Sequence, residues 1–126
     1  MIASKSKRMK KVYLFVAIIV LVAVGIGYIL KRNNTPCAQF RKLHPEYASL
    51  HIFTSQELSS YDGIKDDKTY IGFHCIVYDV TAGKDQFYAE GKGYHYLVGR
   101  DATKQLEIFG GDIIESKYPK VGLLAE

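Results

Sequence analysis

The sequence predicts an α+β domain carried behind one membrane-crossing helix. Three observations carry that expectation: an uncharged run near the N-terminus, two β-rich runs separated by two residues, and helix signals that follow the strands instead of alternating with them. The 126 residues allow one domain with an appendage and exclude a multidomain enzyme or a repeat array.

Charge is distributed unevenly. The formal net charge is +4 and the pI is about 9.0. Residues 1–32 hold all of that excess, with seven Lys or Arg and no acid, whereas residues 33–126 carry more acid than base. A basic pI ordinarily raises nucleic acid as a partner. Here the basic residues flank an apolar run, and no nucleic-acid partner is assigned.

Residues 1–11 form a basic tail. Val12 to Leu30 is uncharged over nineteen residues, and at about 1.5 Å per residue a helix of that length spans about 28 Å, the thickness of a bilayer's hydrocarbon core. Tyr13 and Tyr28 stand near its ends, where amphipathic rings favour the interface. A cleaved signal has a shorter apolar stretch and a small-residue cleavage site; Lys31-Arg32-Asn33-Asn34 follows instead. The expectation is a retained single-pass anchor, in the endoplasmic reticulum of a eukaryote or the plasma membrane of a prokaryote. Five basic residues precede the span and four follow closely, which leaves the side of the C-terminal part open.

Residues 31–51 read as a polar linker with Pro36 and Pro45, and residues 52–126 as the folded unit. A unit this small has a marginal core, so a bound ligand is one source of stability. Thr54 and Glu57 have capping-box spacing for a short helix that Asp62-Gly63 ends. Residues 69–73 and 76–80 read as a hairpin around His74-Cys75, a pair lacking the Gly or Asn that a type I′ turn favours. Residues 83–100 contain four glycines and a cluster of aromatic rings, without a GxGxxG phosphate loop. Asp101 is placed to cap a helix over Thr103–Phe109, Gly110-Gly111 to stop it, and Asp112 to cap a second helix ending before Pro119. Cys37 and Cys75 pair in an oxidising compartment or stay as free thiols; the sequence leaves both open. No metal-ligand spacing, Ser/His/Asp arrangement or carboxylate pair is present, so no enzyme chemistry is expected.

Phe53-Thr54 with Glu57-Leu58, Tyr61-Asp62-Gly63, Val77-Tyr78-Asp79-Val80-Thr81, Phe87-Tyr88, Gly93-Tyr94 and Gly99-Arg100-Asp101-Ala102 follow one another in a familiar order. In that order and spacing the chain resembles the cytochrome b5-like heme/steroid-binding domain, and more narrowly the membrane-associated progesterone receptor family. The closing Lys117-Tyr118-Pro119-Lys120-Val121-Gly122 is similar to that family's end. The family's larger members carry a long helical insertion where this chain has only Gly110-Gly111-Asp112, as in short microbial forms. The His-Pro-Gly-Gly motif of true cytochrome b5 is absent.

The resemblance implies heme b held by a tyrosinate, with Tyr94 as the iron ligand and Tyr88, Lys117 and Tyr118 supporting or facing the heme. A phenolate is a hard donor that favours ferric iron; a Tyr88 hydroxyl donating to it would tune its charge, and Lys117 would meet a propionate as a point charge. The partners it implies are a membrane heme enzyme such as a cytochrome P450, a sterol, or a second copy in a heme-mediated homodimer. Against this stand three other readings of the residues: Tyr88 and Tyr94 as core aromatics, His95 as the iron ligand, and Lys117 as a helix-end charge. Two other functions remain beside it, a cytochrome b5-type electron carrier and a heme-independent steroid or apolar-ligand binder.

Overall fold

The computed structural model describes residues 2–126, which divide into two units, one ending at Asn34 and one running from Thr35 to Glu126. The first is a single helix, α1 (Ile2–Asn33), whose segment from Lys5 is long and apolar enough to cross a bilayer. It carries no apolar stripe; its residues are apolar all round through the span, as lipid contact on every side requires.

The second unit is built on a four-stranded mixed sheet in the order β1-β4-β3-β2. Strands β2 (Tyr70–Phe73) and β3 (Ile76–Asp79) form the expected antiparallel hairpin, with Phe73 opposite Ile76. His74 and Cys75 make its two-residue turn with φ of 48° and 66°. Two positive φ angles are what a type I′ turn demands, and here neither residue is glycine. Long-range contacts hold the pair there. His74 Nε2 lies 3.0 Å from Glu107 Oε1, and its backbone N–H donates to Thr103 Oγ1. Cys75 is joined to Cys37 by a disulfide.

That disulfide revises the linker expected over residues 31–51. Residues from Thr35 onward belong to the folded unit. Thr35 Oγ1 accepts the Ala38 N–H and Pro36 occupies the first turn of α2 (Pro36–Leu43), a strong helix start. Cys37 and Ala38 are buried, and Arg41 donates to the carbonyls of Leu124 and Ala125 at 2.6 and 3.1 Å. Phe40, Tyr47 and Leu50 pack on the core. Strand β1 (His51–Phe53) then pairs in parallel with β4 (Lys120–Leu124), which also pairs with β3. Neither of these two strands is announced by an alternating pattern.

Helix α3 (Ser55–Leu58) starts as expected, with Thr54 Oγ1 accepting the Glu57 N–H. Only half of the capping box forms, because Glu57 turns to His51 Nε2 instead. Helix α4 (Thr103–Ile108) follows Asp101, whose carboxylate accepts the Thr103 N–H. Helix α5 (Gly111–Lys117) begins differently from expectation. Gly110, at φ 91°, turns the chain into it, and Asp112 sits inside the first turn, where its charge faces the positive end of the helix.

Successive residues of β2 and β3 face opposite sides of the sheet, and both sides are covered. Tyr70, Val77, Leu124, Phe53 and Leu58 meet Cys37 on one side. Ile71, Phe73, Tyr78 and Leu123 join Leu97, Leu106, Ile114, Tyr88 and Tyr118 on the other. The second cluster forms the floor of the site described next.

Candidate functional site

The ring-rich stretch folds as three short turns. Residues Thr81–Gly83 make a 3-10 turn, Lys84–Tyr88 a single π turn closed by Ala89 N–H to Lys84 carbonyl, and His95–Leu97 another 3-10 turn. The Tyr94 N–H donates to the Phe87 carbonyl at 3.1 Å. This bond brings Tyr94 beside the Phe87-Tyr88 pair, seven and six residues back in sequence. The ring centres of Tyr88 and Tyr94 are 6.4 Å apart, and those of Tyr88 and Tyr118 6.0 Å, edge to face.

The second and third of these turns, with helices α4 and α5, enclose an open cavity of about 550 Å³, lined by Phe87, Tyr88, Tyr94, Tyr96, Leu97, Leu106, Ile108, Phe109, Ile113, Ile114, Lys117 and Tyr118, with Gln105 and Gly110. The lining is dominated by apolar and aromatic side chains with few polar groups, the pattern of a cofactor or small-ligand site. All four residues singled out above line it. They do so differently. Tyr88 and Tyr118 are buried in the wall, whereas Tyr94 is 39% exposed at the opening and is no core residue. Lys117 Nζ lies 5.6 Å from the centres of both the Phe87 and Tyr118 rings, over the cavity.

Tyr88 and Tyr118 meet edge to face in the wall of the cavity. Burial above all, and then the neighbouring Tyr118 phenol, push the Tyr88 phenol well above its ordinary value, so it stays protonated. The Tyr88 ring thus stands between its neighbours Tyr94 and Tyr118 in the ring cluster, its centre 6.4 and 6.0 Å from theirs. His95 turns away from the cavity: its Nδ1–H donates to the Tyr88 carbonyl at 2.8 Å, and its ring faces a separate cleft beside Asp62 and Arg100. No group of three or more His, Cys, Asp or Glu among the described residues is placed to hold a metal ion.

Two contributors escaped the sequence reading. Gly83 is one; a Cβ built there would stand 2.3 Å from the Tyr118 hydroxyl oxygen and 3.0 Å from the Tyr88 ring. Only a glycine lets that hydroxyl reach its place. The apolar lip is the other, formed by Ile108, Phe109, Ile113 and Tyr96. Its signal in the sequence is the pair Ile108-Phe109 directly before two glycines, off the face of α4 that buries Leu106.

No family model matches the chain. Over 104 residues it is 35% identical to protein vem-1 of Caenorhabditis elegans, an alignment covering 81% of this chain and 55% of that protein. Over 67 residues it is 42% identical to a neuferricin homolog of Caenorhabditis briggsae, covering 52% of this chain and 20% of the relative. Over 55 residues it is 40% identical to probable steroid-binding protein 3 of Arabidopsis thaliana, covering 43% and 54%. The chain thus spans about half of vem-1 and a fifth of the neuferricin homolog. Among solved structures, a hypothetical Arabidopsis thaliana protein with a cytochrome b5 like fold matches at TM-score 0.52 and 28% identity, covering 61% of this chain and 93% of that one. A Hadesarchaea cytochrome b5 domain protein matches at 0.51 and 28%, covering 60% and 99%. The sheet-and-pocket unit is a cytochrome b5-like domain of the membrane-associated progesterone receptor type.

Proposed function

We propose that this protein is a membrane-anchored heme-binding protein in which the Tyr94 phenolate holds ferric heme b. The observation that carries the reading is the convergence of Tyr94, Tyr88, Tyr118 and Lys117 on one apolar cavity of about 550 Å³. The site fits such a group. Its volume lies within the roughly 300–1,000 Å³ of ligand pockets, the half-exposed Tyr94 phenol stands at the opening, and no histidine lines it. When bound, the heme supplies an iron whose ferric state an anionic oxygen donor stabilises.

The protein's own residues have separable tasks. Tyr94 presents its oxygen to the iron. Tyr88 and Tyr118, buried and packed edge to face, stiffen the wall beside it and exclude water there. Phe87, Leu97 and Ile114, which line the cavity, would give a porphyrin apolar contact. Lys117 stands as a point charge for a propionate. The relatives named neuferricin and steroid-binding protein support a binding role, and no enzyme activity is proposed. The role in the membrane is to hold or hand over heme, or to support a heme enzyme there such as a cytochrome P450. A second copy meeting the open face would give a heme-mediated homodimer. The Cys37–Cys75 disulfide favours the luminal or exported side for residues 35–126, since such bonds persist in oxidising compartments.

A ferric-heme titration of the wild type beside Tyr94→Phe and His95→Ala tests the assignment. The expected result is a high-spin ferric Soret band for the wild type and for His95→Ala, and its loss or severe weakening for Tyr94→Phe. Undiminished heme affinity in Tyr94→Phe overturns the ligand assignment. The same apolar lining suits a sterol without iron. Saturable thermal protection by sterol, with no heme titration, would establish that second reading.

A further inference from the structure

The mouth of the cavity has a surface of its own. Ile108 is 86% exposed, Phe109 69%, Tyr96 55% and Ile113 49%. All four line the same cavity, so the exposed apolar groups form one lip around one opening. Large apolar side chains gathered this way mark an interaction surface, whereas scattered ones do not. The ionisable residues of α4 and α5 are Lys104, Glu107, Asp112, Glu115 and Lys117, a mixture without a basic excess.

What lies against that lip is indicated by the chain itself. Helix α1, a candidate membrane span, ends at Asn33, and the folded unit begins at Thr35. A unit of about 90 residues has a radius of gyration of about 12 Å. Tethered through one residue, every part of its surface stays within a few tens of ångströms of the bilayer at high effective concentration. Isoleucine and phenylalanine with a neighbouring tyrosine is the composition that enters the interfacial layer.

We propose that the lip formed by Tyr96, Ile108, Phe109 and Ile113 inserts into the bilayer interface, so that the cavity opens toward lipid and takes its apolar ligand from the membrane. This extends the pocket reading given above, but lip insertion is measured without any ligand. The absence of a basic excess makes the insertion hydrophobic, and it should therefore be insensitive to salt and to anionic lipid.

The chain contains no tryptophan, so one introduced indole reports its own surroundings. The full-length protein carrying F109W is reconstituted, without heme, into phosphatidylcholine vesicles containing lipids brominated near the glycerol end of the acyl chain. Parallel samples carry I113W, as a second lip reporter, and I64W, an exposed position outside the lip. The expected result is blue-shifted emission that bromolipid strongly quenches for F109W and I113W, unchanged in high salt, and neither effect for I64W. Equal, water-like emission at all three positions overturns the proposal. So does a blue shift without bromolipid quenching, which would mean that a second copy covers the lip. Failure of the heme titration alone would leave the insertion result standing.

Discussion

At the scale of single residues, the site depends on one side chain that is missing. Gly83 leaves room for the Tyr118 hydroxyl and the edge of the Tyr88 ring, which pack together in the cavity wall. Gly83→Ala places a methyl 2.3 Å from that hydroxyl oxygen. Over-packing of this kind costs about 1–3 kcal/mol, and the displaced ring belongs to the cavity wall. The expected outcome is a lower unfolding midpoint together with weaker heme binding, read by thermal denaturation and titration of the same sample. Unchanged values of both would show that the wall yields freely. The tyrosines themselves were legible from their place in a motif series. Gly83 was not, because its importance lies in a contact with a residue thirty-five positions away, and glycine's own preferences are silent about that.

Among the elements, the β2–β3 turn shows how tertiary contacts override local chemistry. Its two-residue length was legible, and so was the mismatch of His74-Cys75 with a type I′ turn. The remedy lay outside the hairpin, in the Cys37 disulfide and in contacts to α4. The bond closes 38 positions of chain, and a loop of that size is worth about 4 kcal/mol in the chain-entropy account. Cys37→Ala/Cys75→Ala should lose stability of that order in chemical denaturation. Cys37→Ala/Cys75→Gly should recover about 1–2 kcal/mol of it, because glycine takes a positive φ without steric cost. Equal stability of the two double variants would mean that the turn conformation carries no strain. His74 also lies between Glu107 and Glu115, at 3.0 and 3.6 Å, which ties the turn to both helices of the cavity wall.

The whole molecule divides at a place the composition concealed. Polar residues and two prolines made 31–51 read as a linker, yet Thr35-Pro36 begins a helix whose Cys37, Ala38 and Arg41 secure the sheet. Residues 35–126 should therefore give a soluble, heme-binding domain with a cooperative unfolding transition. Residues 52–126 should express poorly or unfold far earlier, since that piece lacks the disulfide, α2 and the bonds from Arg41 to the last strand. Equal melting of the two fragments, followed by circular dichroism, would show that residues 35–51 contribute nothing to the fold.

The sequence by itself determined the features that depend on near neighbours. These are the long apolar helix, the hairpin, the Thr54 helix start and the order of motifs that marks a cytochrome b5-like domain. Period, capping and turn length act over a few residues and can be read along the chain. Tertiary structure alone decided the Cys37–Cys75 bond, the pairing of β1 with β4, the turning of His95 away from the cavity and the gathering of Tyr96, Ile108, Phe109 and Ile113 at its mouth. Most of these join residues far apart in sequence, and such contacts are fixed by the packing of the complete unit, where the apolar area buried across elements outweighs any local preference.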